Sequence, residues 1–187
     1  LILSPGAKPT QPKVPGTGLD RVFTLRTVED TFRIKTYINA HHPASAVLAG
    51  GGFIGLELAE NLRALGMEVT IVQRPRQLMN PFDPDMAAFI HSEMRRHGAK
   101  LVLGRTVEGF AENGGGVDVL LKDGAPLRAD MVVLAIGVTP DTALAGEAGL
   151  ELGVRGSIAV NDRMETSVPD IYAVGDAVQV KHAVTGQ

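Results

Sequence analysis

The stretch Ala46-Val47-Leu48-Ala49-Gly50-Gly51-Gly52-Phe53-Ile54-Gly55-Leu56-Glu57-Leu58-Ala59 decides the fold. Its first four residues form a short apolar run of the kind that makes a buried strand. A glycine cluster interrupts it. Phe53 to Leu65 then reads as a helix, with Ile54, Leu58, Leu62 and Leu65 as its apolar stripe. Gly66 is expected to end that helix in the left-handed conformation, and Val69-Thr70-Ile71-Val72 reads as a second strand. Strand, glycine turn, amphipathic helix and strand make a βαβ unit with parallel strands. Within it, Gly50-x-Gly52-x-x-Gly55 has the spacing and setting of a dinucleotide-binding turn. On that reading Gly50 permits the tight turn and Gly52 lets a pyrophosphate approach the backbone. Gly55 and Ala59 let the helix pack closely on the sheet, and the N–H groups opening the helix meet the phosphates. The competing reading is a tight strand–helix turn with no ligand.

Outward from this unit the pattern continues. Pro81-Phe82-Asp83-Pro84 opens a second helix, with Asp83 as its cap and Met86, Phe89, Ile90 and Met94 as its stripe. Arg95, Arg96 and His97 lie at its negative end, and Gly98 stops it. Lys100 to Leu103 is a third strand. Thr106 to Ala111, Val117 to Leu121 and Pro126 to Arg128 form an antiparallel meander, separated by the turn dipeptides Asn113-Gly114 and Asp123-Gly124. Met131 to Ile136 is a fully apolar strand ending at Gly137. Upstream, the prolines at 5, 9, 12 and 15 predict an extended loop over 4–18, and residues 27–40 read as a helix. Downstream of Pro140 come a short helix and short strands at 157–160, 164–166 and 171–174. The expected fold is α/β: a Rossmann-like parallel sheet on strands 46–49, 69–72, 100–103 and 131–136, with the meander as crossover.

Composition excludes several classes. With 18 basic and 21 acidic residues, the net charge of -3 offers no electrostatic reason for a nucleic acid or an anionic membrane as partner. No apolar run is long enough to span a bilayer. There is no cysteine, which excludes disulfides, thiolate metal sites and a cysteine nucleophile within this chain. His41 and His42 are adjacent in a loop and do not suggest a metal site; His91 and His97 read as helix-face residues.

Nucleotide choice turns on the residue after the second strand. An acidic side chain there would hold a ribose 2′-hydroxyl. Here it is Gln73, followed by Arg74-Pro75-Arg76. Gln73 does not repel a 2′-phosphate, and Arg74 has the planar fork to pair with one; NADPH is thus at least as well suited as NADH. A solvated loop is the alternative for the arginines.

Three blocks together, in order and spacing, resemble the flavin-dependent pyridine nucleotide-disulfide oxidoreductase family over the whole chain. They are Leu1-Ile2-Leu3-Ser4-Pro5-Gly6-Ala7-Lys8-Pro9, Gly50 to Glu57, and Thr166-Ser167-Val168-Pro169-Asp170-Ile171-Tyr172-Ala173-Val174-Gly175-Asp176. The branch resembled is that of NADH oxidases, CoA-disulfide reductases and persulfide/polysulfide reductases. Val138-Thr139-Pro140-Asp141, where the dithiol reductases carry Arg-x-Pro-Asn, agrees with that branch.

The resemblance implies site residues. For NAD(P) they are Gly50, Gly52, Phe53, Ile54, Gly55, Glu57, Gln73, Arg74, Ile136 and Gly137, with Phe53 as an aromatic covering the flavin face and Glu57 near the nicotinamide. For FAD they are Gly6, Gly175 and Asp176; the plain reading of Asp176 is a helix N-cap. It implies FAD-domain remnants at 1–40 and 151–187 around an NAD(P)-binding domain at 41–150. The ends, Leu1 and Thr185-Gly186-Gln187, suggest a fragment lacking the FAD adenosine site, the redox cysteine and the dimerisation domain. The implied whole is a cytoplasmic, homodimeric FAD enzyme passing hydride from NAD(P)H to FAD and on to a CoA disulfide, persulfide or polysulfide, or oxygen. The fragment alone would be inactive. A ferredoxin- or rubredoxin-type reductase and a nucleotide-sensing flavoprotein module stay open as alternatives.

Overall fold

Strands that are apolar along their whole length must be covered on both faces. The computed structural model, which describes residues 1–181, 184 and 186, meets that requirement with two different covers. Thr185 and Gln187 of the expected fragment end lie outside the described residues.

In chain order the elements are β1 (Ile2–Leu3), β2 (Ala7–Pro9), β3 (Val22–Thr24), α1 (Val28–His41), β4 (Ser45–Ala49), α2 (Phe53–Ala64) and β5 (Glu68–Gln73). They continue with α3 (Pro84–Arg96), β6 (Lys100–Leu103), β7 (Val107–Asn113), β8 (Gly116–Leu121), β9 (Leu127–Ala129) and β10 (Met131–Leu134). The last are β11 (Val138–Pro140), α4 (Ala143–Glu147), β12 (Ile158–Ala159), β13 (Tyr172–Ala173) and β14 (Val178–Gln179).

Two compact units result: Pro9–Gly137, and Leu1–Lys8 together with the described residues from Val138 onward. The boundaries therefore fall at 8/9 and 137/138, not at 40/41 and 150/151. The physical reason is that residues 9–40 are tied into the first unit. The Pro15 carbonyl accepts the Phe110 N–H at 2.9 Å, β3 joins the central sheet, and Ile34 of α1 is in its core.

The Pro9–Gly137 unit is built on a parallel sheet in the order β3-β10-β4-β5-β6. Successive side chains alternate faces. Ala46 and Leu48, Val69 and Ile71, and Met131 and Val133 pack with Ala59 and Leu62 of α2. Val47 and Ala49, Val72, and Val132 and Leu134 pack with Phe110, Val117 and Val119 of the meander. The meander pairs antiparallel in the order β7-β8-β9. The expected α/β fold with its antiparallel crossover is the observed one. β3 is a fifth strand: at three residues it is too short to announce itself.

Several local expectations change. The buried stripe of α2 is Gly55, Ala59 and Leu62, while Leu65 is 65% exposed, because the glycine and alanine let the helix backbone come down on the sheet. In α3 the inward residues are Ala87, Ile90 and Met94; Met86 and Phe89 point out. Asp83 holds the N-cap position but makes no capping bond. The proline loop contains β2, which pairs with β11. The β7–β8 turn is Gly114-Gly115, both at positive φ, so Asn113 belongs to the strand.

The other unit is small. Its core is Ala145, Leu150, Ile158, Ala173 and Ala177. β1 runs parallel to β13, and the Leu1 and Leu3 carbonyls accept the Tyr172 and Val174 N–H groups at 2.9 and 3.0 Å.

Candidate dinucleotide site

In an open parallel sheet the ligand crevice lies beyond the carboxyl ends of the strands. Here β4, β5 and β10 end together. The Gly50 N–H donates to the Val72 carbonyl at 2.8 Å, and the Ala135 N–H to the Ala49 carbonyl at 2.7 Å. Gly50 has φ +118°, and a Cβ on it would stand 2.2 Å from the Ala135 oxygen. A Cβ on Gly55 would stand 2.1 Å from the Gly50 oxygen. These two glycines are required by the protein's own packing.

Gly52 differs. A Cβ there would meet no atom within 4 Å. Gly52 is the N-cap of α2 in extended conformation, brings no capping side chain, and is followed by a first turn with no acidic residue. The opening N–H groups, those of Phe53, Ile54 and Gly55, have no intrahelical acceptor. Open space beside uncapped N–H groups is what a pyrophosphate requires. The residues present fit a dinucleotide.

Around this turn, the Gly51 N–H donates to Gln73 Oε1 at 3.0 Å. That leaves the Gln73 Nε2 hydrogens as donors to a ligand. Arg74 and Arg76 are exposed. Arg105 joins them, a residue the motif does not announce: its N–H donates to the Gln73 carbonyl at 3.1 Å, and the Gly104 N–H donates to the Pro75 carbonyl at 2.9 Å. Phe53 is 68% exposed and Ile136 42% exposed; Ile54 is half-buried and Glu57 exposed. The Gly137 carbonyl accepts the Thr10 N–H at 2.9 Å.

The spacing rule does not single out Gly51. A Cβ on it would stand 2.3 Å from Leu78 Cδ2, and its carbonyl accepts the Met79 N–H at 2.8 Å. Leu78 and Met79 are buried, so the 77–82 segment is clamped on the glycine turn. The Leu78 N–H donates to His91 Nε2 at 3.0 Å. His91 is therefore not simply a helix-face residue. Burial, and then the Arg95 guanidinium, hold its pKa below the ordinary histidine value.

In the other unit, Gly175 has φ +82°, and a Cβ there would stand 3.2 Å from Ser4 Oγ. The Gly6 carbonyl accepts the Asp141 N–H at 2.9 Å. Asp176 sits inside the 3-10 turn Gly175–Ala177, whose N-cap is Val174, so it is not a helix N-cap. The Leu1 amino group donates to the Asp170 carbonyl at 2.9 Å, which joins two blocks about 170 residues apart in sequence.

The model of the family described as pyridine nucleotide-disulphide oxidoreductase matches residues 1–187. The chain belongs to this family. An NADH oxidase of Methanocaldococcus jannaschii is 38% identical over all of this chain and 42% of its own length. An NAD(P)H coenzyme A polysulfide/persulfide reductase of Pyrococcus horikoshii is 32% identical over the same shares. The structure of reduced Bacillus anthracis CoADR-RHD superposes with a TM-score of 0.93 at 50% identity, over all of this chain and 33% of that one. An engineered water-forming NADPH oxidase, solved bound to NADPH, superposes with a TM-score of 0.90 at 31% identity, over all of this chain and 41% of that one. The chain spans about two fifths of the length of these two curated relatives. Among the described residues, no helix is long and apolar enough to cross a membrane.

Proposed function

We propose that this chain is the NAD(P)H-handling part of a flavoprotein oxidoreductase that takes hydride from NAD(P)H to FAD and passes electrons to a CoA disulfide, a persulfide or polysulfide, or oxygen. The observation that carries it is the open face of Gly52 beside the uncapped start of α2, with Gln73 bonded to the neighbouring Gly51. Gly50, Gly52 and Gly55 would seat the pyrophosphate. Gln73 and Arg74 would meet the adenosine ribose end, and Phe53, Ile54, Glu57, Ile136 and Gly137 the nicotinamide end.

When bound, the nicotinamide and flavin would supply the hydride-transfer chemistry. What this chain contributes is binding, orientation and exclusion of water. Gly6, Gly175 and Asp176 would belong to the flavin part, and we assign Leu1–Lys8 and the residues from Val138 onward to it. The thiol that some acceptors require would lie outside this cysteine-free chain. The partners are the remaining FAD and dimerisation domains of the same polypeptide, in a cytoplasmic homodimer.

The test is anaerobic mixing of the FAD-loaded, intact polypeptide with NADH or NADPH, followed by the absorbance of oxidised flavin. Rapid bleaching in the wild type, lost in Gly52→Val, is expected. A flavin that neither nucleotide reduces would overturn the proposal.

A further inference from the structure

A ring nitrogen that accepts a hydrogen bond must be unprotonated. His91 Nε2 accepts the Leu78 N–H at 3.0 Å, from one turn of α3 to a segment that carries no titratable side chain between Gln77 and Phe82. From Leu78 the contacts lead directly to the glycine turn. Leu78 Cδ2 covers Gly51, the next N–H along, that of Met79, donates to the Gly51 carbonyl at 2.8 Å, and the Gly51 N–H donates to Gln73 Oε1 at 3.0 Å. Both hydrogen-bonding groups of Gly51 are thereby committed, one to the 77–82 segment and one to the end of β5.

We infer that His91 is a positioning residue for the dinucleotide: as a neutral acceptor it holds the 77–82 segment against Gly51, and protonation of its ring releases the segment and weakens dinucleotide binding. This rests on the reading of Gly50–Gly55 as the dinucleotide turn. A protonated Nε2 would point a donor at a donor. The Leu78 N–H would lose its partner, and the clamp on Gly51 would lose its hydrogen bond to α3.

The surroundings set the direction of the pH effect. The charged group acting on the ring is Arg95, on its own helix; with burial, it disfavours the imidazolium. On β6, which packs against α3, Lys100 is paired with Glu68 at 2.8 Å. Further along α3, Glu93 is paired with Arg96 at 3.1 Å and His97 at 2.8 Å. The folded pKa is lowered, so the latch is fully formed above the ordinary histidine pKa of about 6.5. It is lost as pH falls through the lowered value.

The experiment is calorimetric titration of the intact polypeptide with NAD+, whose pyrophosphate stays ionised throughout, between about pH 8 and about pH 5. Wild-type affinity should fall about fivefold toward the acid end, the weight of one hydrogen bond. His91→Gln places Oε1 near the Nε2 position and accepts without titrating, so its affinity should be nearly flat. His91→Leu should be about fivefold weaker at every pH. Identical pH profiles for wild type and His91→Gln would overturn the inference. Hydrogen exchange of the Leu78 amide separates the two readings. Should NAD+ not bind even at pH 8, the dinucleotide assignment fails. The latch itself still stands if Leu78 protection, corrected for intrinsic rate, drops at acid pH in wild type and not in His91→Gln. Equal protection in both sinks it.

Discussion

Gln73 and Gly51, 22 residues apart, are joined by a hydrogen bond in which the Gly51 N–H donates to Gln73 Oε1 at 3.0 Å. A carboxylate at this position could make the same bond and still accept from a ribose hydroxyl. The amide instead turns donors outward. Gln73→Glu should therefore keep the turn folded while setting a negative charge beside any 2′-phosphate. NADPH affinity should fall about tenfold, the scale of one charge-assisted interaction, with NADH unchanged or tighter. Titration of both dinucleotides against wild type and variant checks this; an unchanged NADPH affinity would place the ribose end elsewhere.

Arg74 follows Gln73, and the backbone bonds of Gly104 and Arg105 bring a further cation to the same strand ends. None of Arg74, Arg76 and Arg105 forms an ion pair with a described residue. A charge-assisted bond to a phosphate is worth roughly 1.5–3 kcal/mol. Exposure to salt should bring it to the lower end. Arg74→Ala should weaken NADPH about tenfold and leave NADH within about twofold. Equal losses for both dinucleotides would remove Arg74 from the 2′-phosphate site.

The glycines of the turn should separate folding from binding. Gly55→Ala puts a methyl 2.1 Å from the Gly50 oxygen, and the backbone must shift. A cost of about 1–3 kcal/mol is expected, seen as a lower Tm. Gly52→Ala adds its methyl to open space at φ -88° and ψ -170°, which alanine adopts readily. Its Tm should match wild type while dinucleotide affinity falls by about tenfold or more, because the methyl occupies the phosphate's approach. A Gly52→Ala protein that binds NAD(P)H normally would mean that no pyrophosphate lies there.

The sheet and its turn were legible because periodicity and glycine spacing are local properties. Ala46–Ala49, Val69–Val72 and the meander could be placed without coordinates. β3 was not, since three residues carry no period. The stripes of α2 and α3 differ from the apolar periodicity for one reason: small residues, rather than the largest apolar ones, meet the sheet. Gly55, Ala59 and Ala87 face inward instead, and Leu65 and Phe89 face out. In the site, the roles of Gly51, Leu78, His91 and Arg105 are not legible in sequence, because tertiary bonds recruit them. Their only signal was proximity to the fingerprint in space, which sequence does not display. The domain boundaries shifted because a proline-rich loop packs on the meander, a contact no composition rule describes.

Asp130 shows how much of this architecture rests at the opposite, amino-terminal ends of the strands. Its Oδ2 accepts three hydrogen bonds: from the Ala44 N–H at 2.9 Å, the Ser45 N–H at 2.8 Å and the Ser45 hydroxyl at 2.9 Å. Its carbonyl accepts from the Tyr37 hydroxyl at 3.0 Å and from Arg21 Nη1 at 3.3 Å. Arg21 also donates to the Tyr37 oxygen, and burial holds the Tyr37 pKa above its ordinary value, so the phenol stays a donor. One carboxylate thus fixes the start of β4 against the start of β10. Asp130→Ala removes three acceptor contacts from donors that water partly reaches, which should cost about 2 kcal/mol. For a chain of this size that is a Tm drop of roughly 4–8 °C. Asp130→Asn keeps one acceptor oxygen and should lose about half as much. Because the site lies beyond the other ends of the strands, NAD(P)H affinity measured well below Tm should be the same in all three proteins. Thermal unfolding and nucleotide titration of the three settle it. An unchanged Tm in Asp130→Ala would show that these hydrogen bonds do not hold the strands in register. A large loss of affinity would show that the two ends of the sheet are coupled.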